Sequence, residues 1–164
     1  MGSRKVRGES GQREISGKDF LSAASDCGSH PGVSRKMVRA AASVDYYRQF
    51  KHGSLGFFDA VGKFDDKAHA RKFIADMRPN PDYVSRYCSG GHIRRIGDES
   101  VVAFGSSNTG QPVGWEYIWF RIGRQVDAIA LTTHYSSQSP GLPYSKRLPR
   151  KLAVLQAKRI QRMR

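Results

Sequence analysis

The stretch from Trp115 to Leu131, WEYIWFRIGRQVDAIAL, decides the fold. Two runs rich in aromatic and β-branched residues flank Gly123, Arg124 and Gln125, which is the pattern of a β-hairpin. With a three-residue turn over Gly123 to Gln125, Ile122 faces Val126, Phe120 faces Ala128 and Ile118 faces Ala130. Arg121 then falls opposite Asp127, a favourable cross-strand pair. The other face carries Trp115, Tyr117, Trp119, Ile129 and Leu131, so both faces are largely apolar. A sheet of that kind is covered on both sides, or one side lines a pocket.

Outward from this hairpin, His92 to Ile96 and Ser100 to Phe104 read as two further strands. Val44 to Phe50 and Leu55 to Phe64 read as a second hairpin around Lys51 to Ser54, and Gly56 and Gly62 weigh against a helix there. Between the hairpins, Asp65 or Asp66 caps a helix whose Ala70, Phe73, Ile74 and Met77 recur at helical spacing until Pro79 stops it. A turn or short helix is expected over Pro81 to Cys88. Near the start, Phe20, Leu21, Ala23 and Ala24 suggest a short helix ended by Gly28 and Pro31. Ser34 is placed to cap another, running through Met37, Val38, Ala41 and Ala42.

The expected fold is α+β: an antiparallel sheet of about six strands with helices packed on it and a basic C-terminal helix. Residues 1–18 read as a flexible basic arm, in which Met1, Gly2 and Ser3 fit a native polar start or an expression scar. Residues 19–138 form the α+β domain. Residues 139–164 add a Pro/Ser linker and a basic amphipathic helix to the same domain, with Leu152, Leu155, Ile160 and Met163 on its apolar arc and Lys151, Lys158 and Arg162 opposite.

Charge is the strongest functional signal. After Asp127 there is no acidic residue, while Lys146, Arg147, Arg150, Lys151, Lys158, Arg159, Arg162 and Arg164 supply eight of the +14 formal charges. An uncompensated basic segment concentrates polyanions. Lys146, Arg147, Arg150, Lys151, Lys158, Arg159 and Arg162 are therefore the expected anion-binding residues, for an envelope polymer, a nucleic acid or an acidic protein. No apolar run reaches the roughly 18 residues that cross a bilayer.

Catalytic and cofactor signals are absent or weak. The glycines never make GxGxxG, and Gly105 to Gly114 lacks the GxxxxGK[ST] order of a phosphate loop, so no cofactor is expected. Cys27 and Cys88 have neither redox nor zinc spacing, so no metal is expected. They read either as buried reduced thiols or as a single disulfide of an exported protein. Cys88 with His92 is the nearest thing to a nucleophile and base. His134 with Arg94 and Arg95 would suit a small basic ribonuclease. Tyr46, Tyr47 and Arg48, and again Tyr117, Trp119 and Arg121, would stack bases on an open sheet and would be core on a covered one. Trp115, Tyr117 and Trp119 are the candidate pocket lining.

Three segments carry a resemblance covering about half the chain: Phe64-Asp65-Asp66-Lys67-Ala68-His69-Ala70, Ile96-Gly97-Asp98-Glu99-Ser100-Val101-Val102-Ala103-Phe104, and Phe120-Arg121-Ile122-Gly123-Arg124-Gln125-Val126-Asp127-Ala128. Together they resemble small secreted or lipid-anchored sensor-like domains common in actinobacteria. The resemblance implies an extracytoplasmic module that binds ligands or partners and lacks catalytic residues. The chain departs from that pattern in showing no export signal or lipid-attachment cysteine and in its basic tail. The expectation is a non-enzymatic extracytoplasmic binding or sensor-like module with a basic surface. A nucleic-acid-associated or virion structural protein, and a ribonuclease-like toxin, are the alternatives.

Overall fold

The computed structural model describes residues 9–24, 32–50, 53–78, 89–107, 113–135 and 147–163. Seven antiparallel strands form one sheet: β1 (Glu9–Ile15), β2 (Val38–Phe50), β3 (Gly53–Phe64), β4 (Ser89–Gly90), β5 (Glu99–Ser107), β6 (Val113–Ile122) and β7 (Gln125–Tyr135). Their order is β1-β2-β3-β7-β6-β5-β4. Two meanders are thus joined where β3 meets β7. Helix α1 (Gly17–Ala24) follows β1, α2 (Lys67–Asp76) carries the chain from β3 towards the far edge, and α3 (Arg147–Arg162) closes the chain.

Strand alternation sorts side chains into two cores. Ala60, Phe64, Val101, Ala103, Trp119, Val126 and Ala128 face α1 and α2, where they meet Phe20, Phe73, Ile74 and Met77. Val102, Ile118, Phe120, Ile122 and Ile129 form the other core with Ala153, Ala157 and Ile160 of α3. The sheet is therefore the middle of three layers, and the two apolar faces of the β6–β7 hairpin are both covered. On the α1/α2 side Phe20, Phe64 and Phe73 form an aromatic trio with ring centroids 5.5–6.2 Å apart. A Cβ at Gly62 would lie 2.7 Å from the Phe20 ring, so glycine there lets α1 seat on the sheet. Asp66 caps α2 by accepting from the His69 amide at 2.7 Å, and Ser16 accepts from the Asp19 amide at 3.1 Å at the start of α1.

Several expectations are corrected. The β6–β7 turn has two residues: Ile122 pairs with Gln125, Arg121 with Val126, Phe120 with Asp127 and Trp119 with Ala128. Gly123 adopts φ +63°, which glycine tolerates without the Cβ penalty and which closes the shorter turn. A one-residue slip reverses facing, so Arg121 and Asp127 lie on opposite sides of the sheet. Ser34 does cap, accepting from the Lys36 amide at 3.3 Å, but only a 3₁₀ turn at Arg35–Met37, and β2 begins at Val38. Pairing with β3 and β1 outweighs the helix propensity of Ala40, Ala41 and Ala42. Within the supposed arm, Glu9–Ile15 form an edge strand, because the outer edge of β2 offers unpaired backbone groups. His92 to Ile96 is not a strand: β5 is paired at its outer edge by Ser89 and Gly90, and Ile93 and Ile96 turn onto the α3 core. The strand and helix content otherwise matches the α+β expectation. Among the described residues no helix is long and apolar enough to cross a membrane.

Candidate anion-binding surface

Helix α3 is rich in Leu, Ala, Lys, Arg and Gln, which lose little rotamer freedom in a helix. It starts at Arg147, before Pro149, because a first-turn residue has no intrahelical amide bond to lose. Its inward line is Ala153, Ala157 and Ile160, all at most 5% exposed. Leu155 and Met163, expected on the apolar arc, are 54% and 68% exposed. The small alanines let the helix approach the β6–β7 surface closely, so docking selects the alanine line over the bulkier arc. Of that arc Ile160 is buried and Leu152 half-buried.

This docking points Lys151, Lys158, Arg159 and Arg162 into solvent. Arg150 is the exception, directing its Nε to Glu116 Oε1 at 3.4 Å, with Glu116 only 1% exposed. Arg147 opens the helix, its side chain outside the described residues, and Lys146, Cys27 and Cys88 lie outside them altogether.

Where the last turn of α3 meets the end of the sheet, three further cations converge. Lys63 ends the α3 side of β3, Lys67 opens α2 and Arg124 sits in the β6–β7 turn. With Ile160 and Met163 they line a groove of about 370 Å³. Arg124 is held there by its Nη1, which donates to the Asp65 carbonyl at 3.1 Å. Among the described residues Lys63, Lys67, Lys151, Lys158 and Arg162 have no ion pair. Sequence reading missed Lys63, Lys67 and Arg124 because strand pairing, a helix start and a turn bring them beside α3. A second recess of about 620 Å³ lies on the other side of Lys67. Its Arg71, Lys72 and Arg121 are already engaged by Glu99, Asp76 and Asp98 at 2.9, 3.2 and 3.1 Å.

Arg121 is nearly buried. It donates to the Gly123 carbonyl at 2.9 Å and to Asp98 Oδ2 at 3.1 Å, and the same Asp98 oxygen accepts from the Gly123 amide at 2.7 Å. Glu99 adds a contact at 3.5 Å. This cluster fastens the β6–β7 turn, and so the position of Arg124.

Asp127, on the opposite face, is fully buried under α3. Val61 pairs with Asp127 and Ile129 with Asp59, which sets the two aspartates diagonally on one face of neighbouring strands. Among the described residues no hydrogen-bond donor reaches either Asp127 oxygen or Asp59 Oδ1, all three of which are buried. Burial first, then the neighbouring Asp59 carboxyl, hold Asp127 well above the usual carboxylate range. Burial also raises Asp59, opposed by its contact with Asp127 and by Arg159 of α3.

The other groups do not assemble into a site. Trp119 is fully buried core, Tyr117 stacks on it at 5.4 Å, and Trp115 is half-buried with its indole N–H unpartnered. His92 is exposed beyond β5, whereas His134 lies on β7 with β6 and β5 between them. Arg94 and Arg95 are exposed, and Arg95 donates to the Gly97 carbonyl at 3.3 Å. Ligand atoms of Asp65, Asp66 and His69 lie within 4.8 Å of one another. The Nδ1 of His69 contacts Asp65 at 2.8 Å and Asp66 at 3.1 Å, a local network that accounts for the start of α2. That bond holds the Asp65 carboxyl below its ordinary range. No protein family, curated protein or solved structure matches this chain.

Proposed function

We propose that this protein is a non-enzymatic binding module that holds an anionic macromolecule on the outer face of α3 and the adjoining groove. The observation that carries this reading is convergence. Lys63, Lys67 and Arg124, from three separate elements, meet the last turn of a helix whose Lys151, Lys158 and Arg162 are solvent-exposed and without ion pairs among the described residues. Cations gathered this way bind phosphates or carboxylates by charge and release their counterions, without reading sequence. The resemblance in the three motif segments adds an extracytoplasmic setting, and an export signal encoded upstream in the native gene is the test of that part.

The binding test is titration of the full chain with labelled single- and double-stranded nucleic acid and with an anionic polysaccharide, across a salt series. Deleting α3 is unsuitable, because Ala153, Ala157 and Ile160 complete a core. The double variants Lys158→Glu/Arg162→Glu and Lys63→Glu/Lys67→Glu instead change exposed side chains that neither core contains. Affinity is expected to fall steeply with salt, and each double variant to reduce both affinity and the salt slope, the slope by about 1 per phosphate contact removed. Preference between the polymers identifies the partner. No binding of any of them at about 0.15 M salt, near physiological ionic strength, would overturn the reading.

A further inference from the structure

The orphaned carboxyl groups beneath α3 belong to no part of the anion-binding surface, yet they sit at the centre of the interface that holds it in place. A carboxylate buried without a donor is costly, and two side by side cost more because like charges repel in a medium that screens them poorly. Sharing one proton removes both penalties: the protonated group donates to its neighbour and a single charge remains.

We propose that Asp59 and Asp127 form a proton-sharing pair that clamps α3 to the sheet, with the proton on Asp127 and the remaining charge on Asp59. Three observations fit this division. Asp127 is 0% exposed and, among the described residues, neither of its oxygens meets a donor within hydrogen-bond geometry. Asp59 is only half-buried, so it tolerates the charge better. Arg159, one turn from the end of α3, is the cation whose field acts on Asp59. Gln156 of α3 faces Asp127 without meeting hydrogen-bond geometry. Among the described residues the remaining charged groups on this face are Glu116, answered by Arg150, and Lys63 at the sheet end.

The sign follows from linkage. A carboxyl raised in the folded state favours docking below its unfolded value of about 3.9, and that contribution is lost as pH rises through the folded value. Rising pH should therefore loosen α3. Because α3 carries most of the basic surface, its presentation is tied to one proton.

The test uses the full chain. Carbon-detected NMR should show the Asp127 carboxyl titrating above about 3.9, the unperturbed value, with Asp59 reporting the same step. Hydrogen exchange of α3 amides, corrected for intrinsic rates, should lose protection by about tenfold per pH unit between about 3.9 and that step and level off above it, as one linked proton requires. Asp127→Asn should abolish the slope, and Asp59→Asn, the second variant, should shift the step downward and narrow the sloping window, since burial alone still raises Asp127. Both carboxyls titrating near about 3.9, or an unchanged slope in both variants, would overturn the proposal. So would a calcium-dependent rise in Tm that Asp127→Asn removes, since that assigns the pair to a cation.

Discussion

Two clusters of charge occupy opposite faces of one hairpin and solve burial in opposite ways. On the α2 side, Arg121 meets Asp98, Glu99 and the Gly123 carbonyl within 2.9–3.5 Å. On the α3 side, Asp127 and Asp59 lie side by side with three oxygens lacking a donor. The first cluster answers its charge with two carboxylates and a carbonyl, leaving Arg121 Nε alone without a partner among the described residues, whereas the second lowers its charge by holding a proton. The difference shows that burial alone does not say whether a charged group stabilises a fold. What decides is whether complementary atoms reach it, and a single residue of register separates the two outcomes here.

The largest effect is expected from breaking the satisfied side. Arg121→Met leaves Asp98 and Glu99 without their buried partner and frees the turn, and should cost about 3 kcal/mol, the low end for a broken buried pair because Asp98 is partly exposed. Urea denaturation at neutral pH measures it. A cost under about 0.5 kcal/mol, the range of an ordinary surface substitution, would erase the contrast between the faces.

A smaller effect tests the α3 side where it is satisfied. Arg150→Ala removes the guanidinium from the 1%-exposed Glu116 and should cost about 1 kcal/mol. Loss of protection confined to α3 amides in hydrogen exchange would distinguish undocking of the helix from general destabilisation.

The smallest effect sharpens the contrast through pH. Asp65 is held below the ordinary carboxylate range by its bond to His69. Its contribution is therefore complete above the unfolded value of about 3.9 and is lost as pH falls through the folded one. Falling pH should fray the start of α2, while rising pH loosens α3. His69→Ala should weaken the acid response of α2 amides and leave the response of α3 to rising pH unchanged. Equal movement of both helices in either direction would show that the two faces are not independent.

Much of this architecture was legible in the residues. Alternation from Val44 to Phe64 and from Trp115 to Thr133 marked the hairpins, and Asp66 with Ala70, Phe73, Ile74 and Met77 marked α2, because these are local patterns set by backbone geometry. The basic outer face of α3 was also legible, since a run of charge without acids needs no partner to be seen. Other features depended on contacts between distant segments. Edge pairing made residues 9–15 a strand, the sheet surface chose Ala153 and Ala157 over Leu155 and Met163, and strand order brought Lys63 and Arg124 to the end of α3. The turn length at Gly123 mattered most. Composition there allows two or three residues, and only the ladder with β3 on one side and β5 on the other selects the register that gives Arg121 its partners and leaves Asp127 with Asp59.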